Sequence, residues 1–229
     1  MSLPLLISIP HAGLRIPSEV AEHNLLTIDQ IVKDGDEGAR EIFDLESEVS
    51  AFVTTEIARA YLDMNRAEGD RGSDGVVKTR TIYEEPIYSR PLEEKHVYQL
   101  LNRYYHPYHR KLSRLIGGVL LGIDCHTMVA EAPPICPDSG TTRPYICLSN
   151  AEGTCSAKWT KLMVSCLESA FGLPVSVNDP FTGGFIIRAH AHELPWIQLE
   201  LSRAPFMSLG EKKSKVLSAF QSFCTEMEK

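Results

Sequence analysis

The chain has 229 residues, 43% of them apolar, with 23 lysines and arginines against 30 acidic residues and a net charge of −7. That length supports one large domain, no apolar run is long enough to cross a bilayer, and the acidic balance argues against a nucleic-acid partner. The start, Met1-Ser2-Leu3-Pro4, has no basic segment of a secretory signal, so a cytoplasmic protein is expected. The six cysteines form no C-x-x-C pair and read as buried thiols.

Residues 5–9 form a short apolar strand stopped by Pro10, with His11 at its end. Ile31 through Val49 carries spaced apolar residues and carboxylates that suit a helix. Residues 52–55 and 61–64 read as β from their branched and aromatic content, and the loop "AEGDRGSDG" follows. From about Leu92 to Leu115 apolar residues recur every three or four positions, a long helix that Pro107 should kink or split. Residues 119–123 read as a strand buried on both faces, with Asp124 and His126 just past its end. Strands are then expected near 145–148, 174–178, 184–188 and 196–201, and helices over 156–171 and from about Leu209. This alternation describes one α/β domain over residues 1–229.

In such folds ligands bind beyond the carboxyl ends of the central strands. That rule selects His11, Asn65-Arg66, Asp124, His126 and Glu200. The chain has no phosphate loop, no G-x-G-x-x-G, no G-x-S-x-G and no H-E-x-x-H, so the candidates are histidines and carboxylates of the kind that hold a catalytic zinc. Asp124 could orient His126 from behind or simply cap a turn. Asp34, Asp36 and Glu37 cluster in "KDGDEGAREIF", and spacing alone does not choose among them. Glu200, among apolar neighbours, should have its carboxyl raised by desolvation and suits a proton shuttle; an ion pair with Arg203 is the alternative. Arg66, Arg71, Arg80 and Arg188 lie in or beside loops and could grip a small-molecule substrate bearing carboxylates. The pairs His106/His109 and His190/His192 lack a third ligand and read as packing or surface histidines. Self-association into a homo-oligomer stays open.

In order along the chain, "SIPHAG", "DGDEGA", "DMNRAEGD", "EPIY", "HPYH", "DCHTM", "NAEGTCS", "TGGFIIR" and "IQLELSR" resemble the N-formylglutamate amidohydrolase (deformylase) family, from about residue 5 to 205. The resemblance implies a mixed central sheet flanked by helices, as in the phosphorylase/hydrolase-like, zinc carboxypeptidase-like proteins. It also implies a zinc amidohydrolase with Zn2+ on His11, Asp36 and His126 and with Glu200 as general base. Asn65-Arg66 looks like a pair that holds a substrate carboxylate; Arg71 and the Gly183-Gly184 pair belong to the substrate side, and Arg80 or Arg188 to the oxyanion. N-formyl-L-glutamate would give formate and L-glutamate. A zinc amidase or carboxypeptidase-like hydrolase of another acyl amino acid or peptide, and a non-catalytic carboxylate binder, are the competing readings. The chain departs from the family at Ala12, Thr127 and "NRAEGDRG", where the family often has serine, serine and an "NRP" continuation. The last departure bears on the acyl group and the acid side chain.

Overall fold

The computed structural model describes residues 2–227 apart from 134, 135 and 137, so Met1 and the last two residues of the expected domain lie outside it. Its strands are β1 (Leu3–Ile9), β2 (Val49–Thr54), β3 (Leu121–Met128), β4 (Ile146–Ser149), β5 (Ser176–Val177) and β6 (Trp196–Ser202). Among the described residues they form one sheet in the order β2-β1-β3-β6-β4-β5. β2, β1, β3 and β6 run parallel, β4 lies antiparallel against β6, and β5 is parallel to β4. The sheet is therefore mixed. The helices are α1 (Ile28–Asp34), α2 (Ala39–Phe43), α3 (Glu94–Leu100), α4 (His106–Arg114), α5 (Ala157–Phe171), α6 (Phe185–Ala189) and α7 (Leu209–Met227).

Strand alternation assigns the two faces of the sheet different tasks. Leu5, Ile7 and Ile9 of β1, Leu121, Ile123 and Cys125 of β3, and Ile197, Leu199 and Leu201 of β6 enter a core shared with α2, α5 and α7. The intervening positions, Ser8, Asp124, His126, Gln198 and Glu200, face the other way and are buried although polar. Register sets Asp124 beside Gln198 and His126 beside Glu200. Further back on that face, Leu6 and Trp196 pack with Leu100, Leu112 and Ile186.

Several expected elements differ. The helix expected over 31–49 is cut at Gly35-Asp36-Glu37-Gly38, because Gly38 takes φ +79° and starts α2 anew, which leaves Asp36 in a loop. Residues 61–64 form turns rather than a strand: the Tyr61 and Leu62 amides both donate to the Ala58 carbonyl. Asp124 and His126 lie inside β3, since pairing with β6 continues to Met128 and Ser202. Residues 185–189 are helix α6 because the Ile186 amide donates to the side-chain Oδ1 of distant Asn65 at 2.7 Å, a tertiary cap. The long helix runs from 94 to 114 with a π-helical stretch over Leu101–Tyr105, which ends where Pro107 enters the first turn of α4. A widened turn there accommodates a ring that cannot donate a hydrogen bond. No helix is long and apolar enough to cross a membrane among the described residues.

Candidate metal centre

β1 ends at Ile9, and the turn that follows brings the His11 imidazole over the carboxyl edge of the sheet. The α1–α2 loop supplies Asp36 and β3 supplies His126. One donor atom from each of the three lies within 4.8 Å of the others. Asp36 Oδ2 is 3.4 Å from His11 Nδ1 and 3.0 Å from His126 Nδ1.

The outer nitrogens settle the tautomers. His11 Nε2 lies 2.7 Å from Asp63 Oδ1 and His126 Nε2 lies 2.8 Å from Asp124 Oδ2, so each Nε2 carries a hydrogen and donates it to a carboxylate. Both Nδ1 atoms then converge on one anionic oxygen, an arrangement that needs positive charge between them. Without a cation, protons on the two imidazoles would supply that charge. Burial alone would lower the two imidazoles, but Asp63 and Asp36 raise His11, and Asp124 and Glu200 raise His126 well above its ordinary value. Burial would raise the Asp36 carboxyl, yet His11 and His126 hold it well below the usual range. A divalent cation would replace those protons. Two imidazoles, one carboxylate and an outer carboxylate behind each imidazole fit a zinc-type ion with an open position.

The supporting side chains are themselves bonded. Asp124 Oδ1 accepts from Ser8 Oγ at 2.7 Å, and its Oδ2 also receives Asn65 Nδ2 at 3.2 Å. Asp63 receives the Asn65 amide at 2.8 Å and Arg59 Nε at 3.1 Å. Behind residues 63–65, His109 donates Nε2–H to the Met64 carbonyl at 3.0 Å and stacks on His190, with ring centroids 5.3 Å apart. Burial, then His190, pushes the His109 imidazole down to about 4, so it stays a neutral brace. Sequence spacing paired these histidines with His106 and His192, whereas the fold pairs them with each other.

Glu200 stands beside His126 on β6, and its Oε1 accepts Gln198 Nε2 at 2.9 Å. Burial raises its carboxyl and Asp36 adds to the rise, against the pull of His126, Gln198 and His11. The ion pair with Arg203 does not form here; Arg203 reaches instead to the Gly35 and Thr127 carbonyls and to Asp36.

A cavity of about 420 Å3 opens over these groups, lined among others by His11, Asp36, His126, Glu200, Asn65, Arg66, Gly183 and Gly184. Arg66 is engaged with Asp74 at 2.7 Å. Arg71, Arg80 and Arg188 are not brought to the cavity. Arg71 is exposed, Arg80 donates to the Glu84 carbonyl at 2.7 Å, and Arg188 lies along the Thr182 and Gly183 carbonyls. The cavity's other arginines are Arg59, Arg143 and Arg203. Loop sequence did not single these out as cavity residues, because Arg59 and Arg143 arrive through turns and through an antiparallel strand whose direction the chain does not announce. Asp63 was missed for the same reason, although its place beside Asn65 in "DMNR" was a usable signal.

Gly184 has a specific task. A Cβ there would stand 2.2 Å from Asn65 Nδ2, and Asn65 cannot swing away without losing Ile186 and Asp124. Gly184→Ala is therefore expected to cost about 1–3 kcal/mol by overpacking and to weaken metal binding. Thermal melts and a metal titration check this; an unchanged affinity would mean that Asn65 does not brace the His126–Asp124 pair.

A family model described as N-formylglutamate amidohydrolase matches residues 3–207. The N-formylglutamate deformylase of Pseudomonas putida is 29% identical over 230 residues, covering 91% of this chain and 84% of that protein. In solved structures, an N-formylglutamate amidohydrolase from Ralstonia eutropha superposes with a TM-score of 0.81 at 21% identity, over 99% of this chain and 93% of that one. A gene product of Agrobacterium tumefaciens gives 0.79 at 17% identity, over 99% and 92%. The two structures share the fold of this chain.

Proposed function

The chain belongs to the N-formylglutamate amidohydrolase family, and on that footing we propose that it is a single-domain, cytoplasmic zinc amidohydrolase that releases formate from N-formyl-L-glutamate. The observation that carries the reading is the convergence of His11 Nδ1, Asp36 and His126 Nδ1 at the floor of the cavity, with Glu200 on the adjoining strand. The bound ion would supply Lewis acidity toward the substrate carbonyl and a water acidic enough to lose its proton near neutral pH.

The chain's own residues do the rest. Asp63 and Asp124 fix the two imidazoles by their Nε2–H groups, leaving each Nδ1 aimed inward. Glu200, held by Gln198, takes the proton of the attacking water and delivers it to the leaving nitrogen. Its burial raises the carboxyl and so strengthens it as a base for the first step, and a departing amine is basic enough to take the proton back from it in the second. Asn65, Arg66, Gly183 and Gly184 border the substrate region; Arg71, Arg80 and Arg188 are given no part in it.

The experiment is a formate- and amine-release screen across N-formyl and N-acetyl amino acids, on protein purified without chelator and assayed for metal. Near-stoichiometric zinc, a preference for N-formylglutamate, loss of activity on chelation and its return with zinc or cobalt are expected. Absence of metal, with no activity restored by either ion, would overturn the reading.

A further inference from the structure

Four arginines reach the cavity, and three of them are tied into the scaffold that carries the ligands. Arg59 is bonded to Asp63 and to the Asp34 carbonyl, Arg66 to Asp74, and Arg203 to the backbone around Asp36. Arg143 is different. Its Nε and Nη2 donate to the two oxygens of Asp138 at 2.8 and 2.9 Å, and its guanidinium lies 4.7 Å from the centre of the Phe181 ring. All three side chains line the cavity.

The topology explains how Arg143 arrives there. β4 runs antiparallel to β6, so its beginning, not its end, meets the carboxyl edge of the other strands. Arg143 precedes β4 by a short step, and its amide is pinned to the Ala130 carbonyl at 2.9 Å, just beyond β3. Cys147 of β4 lies beside Glu200 in the register. The guanidinium is thereby held on the same cavity as the general base, but it bonds neither histidine nor Asp36.

The two members of the pair are unequal. The Arg143 side chain is 5% exposed and stacked, whereas that of Asp138 is 21% exposed and lies on the loop that follows β3. The cation is fixed and its anion can turn to solvent. A guanidinium fork that takes one carboxylate through two parallel bonds takes another equally well. Arg203, in contact with Asp36, stands nearer the ligands, so Arg143 suits the carboxylate farther from the scissile amide.

We propose that Arg143 is the specificity-determining residue of this site: it receives the side-chain carboxylate of an N-acyl dicarboxylic amino acid, and Asp138 occupies it as an internal stand-in until that substrate arrives. The inference rests on the deacylase reading above. Phe181 keeps the fork flat and oriented, and the exchange swaps one ion pair for another, so binding leaves no buried charge alone.

The test compares N-formyl-L-glutamate with its near-isosteric amide, N-formyl-L-glutamine. Removing one partner of a desolvated charge pair costs 2 kcal/mol or more, roughly 30-fold in affinity. Arg143→Met should therefore collapse the acid-to-amide ratio of kcat/KM by roughly 30-fold, mainly through KM, and Arg143→Lys should restore part of it. Asp138→Asn should raise the ratio by removing the competitor. An equal loss on both substrates in Arg143→Met would show a merely structural role and overturn the proposal. If wild-type protein releases formate from neither compound, the deacylase reading fails on its own, and calorimetric titration with glutarate still decides about Arg143: binding lost in Arg143→Met supports it, and equal binding overturns it.

Discussion

Glu200→Gln is expected to lower kcat by roughly 10²–10⁴-fold, the range that a positioned acid–base group contributes, while bound metal stays at the wild-type level. The amide keeps the shape of the carboxyl and its hydrogen bond with Gln198, so only the proton-accepting oxygen is lost. Glu200 is not among the three converging donors, which is why metal content should not follow activity. The pH profile gives an independent check. Burial holds the Glu200 carboxyl above its ordinary value, and a base works only when deprotonated, so activity should fall as pH drops through that raised value. The acid limb then lies above the ordinary glutamate pKa of about 4.3. In Glu200→Gln the residual rate should lose this limb. Wild-type turnover in the variant, measured as formate release beside metal analysis, would remove Glu200 from the chemistry.

How far the chain could be read depended on whether each residue's task was local. β1, β6 and α7 were legible because their patterns are set by burial along a single element. "GIDCHTM" and "WIQLELS" already show the alternation that turns Ile123, Cys125, Leu199 and Leu201 to one core and Asp124, His126, Gln198 and Glu200 to the other face. What local reasoning could not reach was decided elsewhere in the fold. α6 is helical because Asn65, 121 residues upstream, caps its first turn. Residues 61–64 look like a strand by composition but are bent by their own amides, and the bend turns Asp63 toward His11. Asp36 could not be told from Asp34 by spacing. The fold separates them: Asp34 is bonded by buried Lys78 at 2.9 Å, while Asp36 meets the two imidazoles. The arginines followed the same rule, since the orientation of β4, and not the loop sequence around Arg143, brings that residue to the cavity edge.

His126→Ala should produce the largest combined loss, in metal affinity and in stability. The substitution removes one of the three converging donors, and a zinc-type ion would bind only weakly to the two that remain. It also leaves the Asp36 and Asp124 carboxylates, which His126 bridges at 3.0 and 2.8 Å, facing a void in a buried setting. Breaking a buried pair by deleting one partner costs about 3–5 kcal/mol because a charge remains uncompensated. In metal-free protein the cost has a definite pH window. Asp36 is held well below its ordinary value by His11 and His126, so its contribution is present above the unfolded carboxyl pKa of about 3.9 and is lost as pH falls through the depressed folded value. His126 is raised well above its ordinary value, so its contribution is complete below about 6.5 and is lost as pH rises through the raised folded value. The gap between wild type and variant should therefore be widest between about pH 3.9 and 6.5 and should narrow toward both extremes. Denaturant melts of metal-free protein across pH, with a zinc titration of each form, measure both losses. His192→Ala, whose side chain is 76% exposed, serves as the histidine control and should change neither. If His126→Ala matched that control in zinc affinity, the cation would have to sit elsewhere than between His11, Asp36 and β3.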